Sequence, residues 1–184
     1  MRDSTMPFRH RLAAAALLTG LGALAASALP TARGQTTADA TAEGKRVFQR
    51  ANCMGCHKWH GDGGGGYGGD ALSLRRTQLD RAQIIETVSC GRPGTGMPYH
   101  LRGAYDSIKC YGMTRAEMDG QMPPEAASFL RPPEIEAVAD YVIAHIRGKG
   151  EPDLADCAAF FGNTSHVCDI YRGLPAGTPA QAGP

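Results

Sequence analysis

The chain has 184 residues, enough for one ordinary domain with extensions, and its 42% hydrophobic content allows that domain a single buried core. Its formal net charge is only +1 at pH 7, so the composition gives no argument for a nucleic-acid partner or for attraction to an anionic membrane. No internal repeat is visible, and no stretch alternates polar and apolar residues over enough length to predict a sheet.

The N-terminus has the pattern of a secretory signal peptide. A basic start with three arginines precedes an apolar run over residues 12–29, and Ala26-Ser27-Ala28 supplies a cleavage site of small residues. A retained membrane anchor is the alternative, but glycine and threonine interrupt the run and Pro30 ends it. We therefore predict that residues 1–28 are removed, that the mature protein has no stable membrane anchor, and that it is periplasmic.

The predicted domain begins after a flexible leader, residues 29–40, which shows no apolar period. A helix is predicted over residues 41–51, because Gly44, Val47 and Phe48 fall on one helical stripe. Glycine weakens a helix interior, so its presence in an apolar stripe suggests a close crossing with another helix.

The next segment, Cys53-Met54-Gly55-Cys56-His57, is the attachment signature of a c-type haem. Two cysteines three apart on one helical turn can each form a thioether to a haem vinyl group, and the adjacent histidine reaches the iron as its proximal ligand. A structural zinc site requires a second Cys/His pair at comparable spacing, and a thioredoxin-like motif requires a βαβ context. The sequence has neither. We therefore predict one covalent haem c, bound by Cys53, Cys56 and His57.

The other four cysteines are predicted to form disulfides, because an exported chain matures in an oxidising compartment. Three pairings are possible, and proximity along the chain favours Cys90 with Cys110 and Cys157 with Cys168. Four free thiols are the alternative.

Glycines dominate residues 61–69, which follow the haem signature. The run lacks the Gly-Lys-Ser/Thr ending of a phosphate loop, so its glycines either let the backbone pass close to a flat cofactor or make the segment flexible. A second helix is predicted from Leu79 to Val88, with Asp80 able to cap it.

Two loops then place a methionine before a proline. The first contains Met97-Pro98 and is rich in glycine, and the second contains Met122-Pro123 and follows a polar segment, residues 100–121. The last helix is predicted over residues 132–147, because proline suits its first turn and Gly148 is a natural residue just after its end.

This order of helices, signature and loops resembles that of a class I c-type cytochrome over residues 41–147. The matching residues, in chain order, are Gly44 and Phe48, the Cys53–His57 signature, Val88, Gly91, Gly96-Met97-Pro98, and Glu134-Ile135 with Tyr141-Val142. The resemblance implies an all-α fold wrapped around one covalent haem, with the first and last helices crossing. It also implies His57 and a methionine as the two axial ligands, and electron transfer as the function.

Three features depart from the family's pattern. The family's usual proline, whose carbonyl orients the proximal histidine, is missing from residues 68–72. Residues of about 100–121 look inserted into the domain, which we place at residues 41–148. The C-terminal extension, residues 149–184, has no counterpart in the simple family pattern, and it looks disordered past Gly173.

The insertion leaves two candidates for the sixth ligand of the iron. Met97 matches the family's ligand loop in its upstream spacing, whereas Met122 lies at the family's usual distance from the last helix. Met97 is the preferred ligand and Met122 the alternative, and His60, His100 or no sixth ligand remain open.

These features predict a periplasmic electron carrier, not an enzyme, that transfers one electron at a time between a periplasmic dehydrogenase and an oxidase or another cytochrome. The first alternative is a haem c subunit of a larger periplasmic oxidoreductase, which the insertion and the extension favour. The second is a haem ligand sensor or peroxidase with an open iron site, against which the two Met-Pro loops argue.

Overall fold

The structure, a computed structural model, describes residues 37–175 and residue 178, and the structural statements below concern these residues. The predicted signal peptide, most of the predicted leader and most of the tail past Gly173 lie outside them. The helices and strands, in chain order, are α1 Thr37–Arg50, α2 Cys53–His57, α3 Arg81–Cys90, β1 Tyr99–Leu101, β2 Glu125–Leu130, α4 Pro132–His145 and α5 Leu154–Phe161. Two short 3₁₀ helices lie at Arg115–Glu117 and His166–Tyr171.

Helix α1 begins at Thr37 instead of near Thr41, so residues 37–40 are helical and not part of a flexible leader. Asp39 places a negative charge in the first turn, where it complements the positive end of the helix dipole. This interaction favours the earlier start, which the apolar stripe of the helix does not reveal.

Helices α1 and α4 cross at Gly44 and form the centre of the main core. A Cβ atom added to Gly44 would lie 2.0 Å from the Ala137 carbonyl oxygen and 2.6 Å from Tyr141 Cβ, so only glycine allows this approach. Val47 and Phe48, on the same stripe of α1, are completely buried. The close helix crossing expected at Gly44 is confirmed.

The ends of α3 and α4 follow from local chemistry. Asp80 caps α3, because its carboxylate accepts the Gln83 N–H at 2.9 Å while the Gln83 side chain accepts the Asp80 N–H at 2.9 Å. Helix α3 runs to Cys90, slightly beyond its predicted end. Helix α4 opens on Pro132 as predicted, and the chain turns away at Gly148, whose φ of +71° suits glycine.

The fold is all-α, as expected, with one small addition. Strands β1 and β2 form a two-stranded parallel sheet in which Tyr99 pairs with Glu125 and Leu101 with Leu130, with an irregularity between these points. The prediction that the chain has no sheet is therefore wrong. A three-residue strand is too short to show an alternating pattern, and its partner lies on the far side of the insertion.

The inserted segment folds into a compact unit with its own small core. The buried residues of that core are Cys90, Tyr99, Ala104, Tyr105, Cys110 and Met118. A disulfide between Cys90 and Cys110 joins this unit to the end of α3, which confirms the predicted pairing.

The C-terminal extension packs on the main domain. The second predicted disulfide, Cys157–Cys168, is also present and joins α5 to the 3₁₀ helix that follows it. Trp59 of the main domain contacts the rings of Phe160 and Tyr171, with centroid distances of 5.8 and 6.0 Å. Within the described part of the chain, no helix combines the length and the apolar character that crossing a bilayer requires.

Candidate haem site

The haem signature forms its own short helix, α2, directly after α1. Asn52 adopts a left-handed conformation (φ 59°) before it, and Lys58 has φ 60° after it, so the helix is confined to a little more than one turn. Cys53, Cys56 and His57 therefore project from one helical turn. This is the arrangement that two thioether bonds and one iron ligand require.

A main-chain carbonyl orients His57. Its Nδ1 lies 3.0 Å from the Leu72 carbonyl oxygen, and because a carbonyl only accepts hydrogen bonds, Nδ1 carries the proton and Nε2 keeps its lone pair for a metal. Burial lowers the pKa of His57, and the positive charge of Arg92 lowers it further, against the opposite effect of the Leu72 bond. The neutral imidazole, which is the form that binds iron, is thereby favoured.

The two cysteines of α2 are free thiols and are not joined to each other. Burial raises the pKa of the Cys53 thiol to about 12. A thiol that exchanges disulfides needs a lowered pKa, so the environment of Cys53 does not favour the thioredoxin-like alternative. Among the residues that the structure describes, no group of three or more His, Cys, Asp and Glu side chains is arranged to hold a metal ion.

The glycine run packs against the backbone of α2. A Cβ atom at Gly66 would lie 2.4 Å from the Gly55 carbonyl oxygen, and one at Gly68 would lie 2.7 Å from the sulfur of Cys56. The Gly68 N–H also donates to the Gly55 carbonyl at 2.8 Å. These glycines thus permit close approach, as one of the two sequence interpretations expected, but the surface they approach is the haem signature itself.

The main core leaves some of its apolar side chains partly uncovered. Several apolar side chains pack on the main core yet keep part of their surface exposed, namely Leu74, Leu79, Ile85, Val88 and Leu101, together with Cys53. Covering such surface is favourable by roughly 25 cal/mol per Å². Two free thiols on one turn, an imidazole with a free Nε2 and a partly exposed apolar surface on the main core make up a set of groups that suits a covalently attached haem.

The two candidate methionines lie on neighbouring segments. The Gly94 N–H donates to the Gln121 carbonyl at 2.8 Å, and the Tyr99 N–H donates to the Pro124 carbonyl at 3.0 Å. The insertion therefore leaves the domain and returns to it at one place, which explains why Met97 and Met122 each satisfy one of the family's spacings. Their packing differs. Met122 packs against the core of the insertion, whereas Met97 belongs to none of the hydrophobic clusters of the described residues.

The two histidines that were alternative ligand candidates, His60 and His100, lie in different environments. His60 Nδ1 accepts the Asp62 N–H at 3.3 Å, and its ring lies against Trp59 near the extension. His100 is buried, and its Nδ1 makes no hydrogen bond with the described residues. Burial lowers the pKa of both imidazoles.

Sequence reasoning missed the Leu72 carbonyl and the charge of Arg92 as parts of this site. A carbonyl is common to all residues, so Leu72 carries no mark of its role, although the missing proline in residues 68–72 did point to the segment. Arg92 lies in the Met97 loop, but nothing in its sequence context shows that its charge acts on His57.

Comparison with known proteins gave one match. A family model described as Cytochrome c matches residues 41–144. No curated protein and no solved structure matched the chain.

Proposed function

Because this chain belongs to the cytochrome c family, whose members bind haem c covalently and transfer electrons through it, we propose that it is a periplasmic carrier with one haem. The observation that carries the proposal is α2, which presents two free thiols and a histidine with an available Nε2 on one turn. When bound, the haem supplies one-electron exchange between Fe(III) and Fe(II).

The residues of the chain fix and cover this group. Cys53 and Cys56 attach it, and the Leu72 carbonyl holds the His57 ring in one tautomer and one orientation. The partly exposed apolar side chains that pack on the main core would exclude water from the haem, and such exclusion tunes the reduction potential through the local dielectric.

Met97 is the sixth ligand in this proposal. It lies in a glycine-rich loop that is free of the hydrophobic clusters, whereas Met122 already packs against the core of the insertion. A thioether is a soft ligand, which favours the reduced ion.

Partner proteins would meet the chain beside Cys56. Tyr67 and Leu72 are exposed by 79% and 68%, and they flank the segment that packs on Cys56 and His57. A small apolar surface on a nearly neutral protein suits the short-lived encounters of redox proteins. A periplasmic dehydrogenase would be the donor, and an oxidase or another cytochrome the acceptor.

Extraction with acid and acetone tests the haem attachment. We expect the colour to stay with the protein, at one haem per chain, and Cys53→Ala to retain at most one thioether and to yield much less mature protein. The double change Cys157→Ala with Cys168→Ala, which removes two cysteines elsewhere, is the control and should keep its haem. Haem that leaves the unaltered protein with the solvent would contradict the proposal.

A second candidate function is a haem subunit of a larger periplasmic oxidoreductase. The observation in its favour is the exposed apolar surface of the extension, where Val167, Ile170 and Leu174 are exposed by 51%, 58% and 40%. Such residues can serve a permanent interface. Size-exclusion chromatography of the native protein separates the two functions, because a free carrier elutes alone.

A further inference from the structure

Two tyrosines of the insertion hold the start of the Met97 loop. The Tyr105 hydroxyl donates to the Cys90 carbonyl at 2.9 Å, in a buried bond, and the Tyr111 hydroxyl donates to the Gly91 carbonyl at 2.7 Å. These carbonyls lie at the C-terminal end of α3, where the helix offers them no N–H partner. The insertion therefore completes the end of α3 at the point where the loop begins.

Both tyrosines adopt a backbone conformation that disfavours bulky side chains. Their φ angles are +67° for Tyr105 and +52° for Tyr111, in the left-handed region that glycine occupies without penalty. A tyrosine in this region is strained and persists only where its surroundings hold it there. Each tyrosine thus contributes a hydroxyl hydrogen bond that a glycine at the same position could not make.

The rest of the loop is fixed as well. Gly91 has φ +66°, and a Cβ atom there would lie 2.6 Å from the Met97 carbonyl oxygen, so the two ends of the loop are in contact. The Arg92 N–H donates to that same carbonyl at 3.2 Å. At the tip, the Gly94 N–H donates to Gln121, a residue at the far end of the insertion. The insertion therefore contacts the loop both at its start and at its tip.

We propose that the insertion, residues of about 100–121, is a scaffold that holds the Met97 loop against the haem, with Tyr105 and Tyr111 as its positioning residues. The inference rests on the proposed function with Met97 as the sixth ligand. Since an iron–thioether bond to Fe(III) is weak, a loop free to move would let other ligands replace Met97. A loop fixed at its start and tip opposes that replacement.

The two tyrosine hydroxyls remain hydrogen-bond donors over the pH range in which replacement of Met97 by other ligands is measured. Burial raises the pKa of Tyr105 and of Tyr111, so both keep their protons in moderately alkaline solution. The disulfide Cys90–Cys110 adds a covalent link between the scaffold and the end of α3.

The experiment removes one hydroxyl at a time with Tyr105→Phe and Tyr111→Phe. The readouts are the weak far-red band of ferric iron–sulfur ligation as pH is raised, and carbon monoxide binding to the reduced protein. Each variant should lose the band at lower pH than the unaltered protein, with the exchange equilibrium shifted by roughly two- to tenfold per hydroxyl, and should bind carbon monoxide more readily. Tyr111 is partly exposed, so its variant remains informative if Tyr105→Phe fails to fold.

The matched control is Tyr99→Phe. Tyr99 is buried in the same small core, but its hydroxyl donates to Glu125 at 2.9 Å and not to the loop carbonyls. This variant should lose thermal stability to a similar extent while its band persists to the same pH as in the unaltered protein.

Two results would overturn the inference, and they are distinguishable. If the band is lost in Met97→Ala but Tyr105→Phe and Tyr111→Phe shift it no further than Tyr99→Phe does, the scaffold has no effect on ligation and the inference alone fails. If the band survives Met97→Ala, the ligand assignment fails and the inference fails with it. Haem attachment and electron transfer would stand in both cases.

Discussion

Three influences set the protonation state of His57. The Leu72 carbonyl keeps a proton on Nδ1, while burial and the charge of Arg92 oppose a second proton on the ring. The imidazole is therefore neutral and held in one tautomer, which is the form that the proposed role as an iron ligand needs.

The choice between Met97 and Met122 can be tested at the scale of single residues. Met97→Ala should abolish the far-red band and markedly lower the reduction potential, because the soft donor that stabilises Fe(II) is lost. Met122→Ala should retain the band and shift the potential modestly, since Met122 packs on the core of the insertion. Absorption spectra and a redox titration of both variants measure this, and the reverse outcome would make Met122 the ligand.

These residues differ in how well the sequence alone predicts their roles. The spacing of Cys53, Cys56 and His57 predicts their roles because each role demands a particular side chain. Leu72 acts through a carbonyl, and Tyr105 acts through a bond to a residue distant in the chain. No local pattern encodes either contact, so only the folded chain reveals them.

Among the elements, the crossing of α1 and α4 was predictable and the docking of α5 was not. Gly44 is conspicuous in an apolar stripe because glycine there weakens the helix for the sake of a close contact. Helix α5 is held in part by Lys45, whose ammonium donates to the Ala159 carbonyl at 2.7 Å and lies 5.5 Å from the Phe160 ring centre. Such a residue looks like an ordinary surface residue in the sequence.

Arg75 is the main polar link between the domain and the extension, and its removal should loosen the extension. Its buried guanidinium donates to the Gly150 carbonyl at 2.5 Å, to the His60 carbonyl at 2.9 Å and to Asp156 at 3.1 Å. Arg75→Met leaves these acceptors unpaired, so we expect a loss of about 2–4 kcal/mol in the free energy of unfolding. Denaturant unfolding measures the loss, and limited proteolysis should show faster cleavage near residues 149–153.

The neighbouring arginine provides the control for this prediction. Arg76 is exposed, so Arg76→Met should change the free energy of unfolding by no more than about 0.5 kcal/mol. Equal stability of the two variants would show that the buried contacts of Arg75 do not hold the extension in place.

At the scale of the whole molecule, buried neutral histidines make stability depend on pH. Burial lowers the pKa of His100, against a weaker opposite effect of the Ser128 carbonyl, and burial likewise lowers that of His60. In the unfolded chain both imidazoles titrate near the ordinary value of 6.5. As pH falls through 6.5 the unfolded state therefore gains protons that the folded state does not, and stability decreases.

We accordingly expect the urea midpoint to be constant above about pH 7 and to fall between pH 6.5 and pH 5. His100→Gln, which cannot titrate, should reduce that dependence. A pH profile unaffected by His100→Gln would show that this group does not titrate differently on unfolding.

The residues that the structure describes form a main core and two smaller ones, each of the smaller ones closed by a disulfide. Both pairings were predictable because cysteines near in sequence meet most easily. The contents of the smaller cores were not, since they depend on tyrosine and phenylalanine side chains spread through segments without a regular apolar period.

The position of Trp59 has a consequence for fluorescence. It is the sole tryptophan of the chain, and it stands three residues after Cys56, so the two lie within about 11 Å even in a fully extended chain. A haem bound to Cys56 would then quench its emission by energy transfer in folded and unfolded protein alike. The intensity of tryptophan emission would therefore report the fraction of chains to which haem has been attached during maturation. It would remain quenched while the mature protein unfolds.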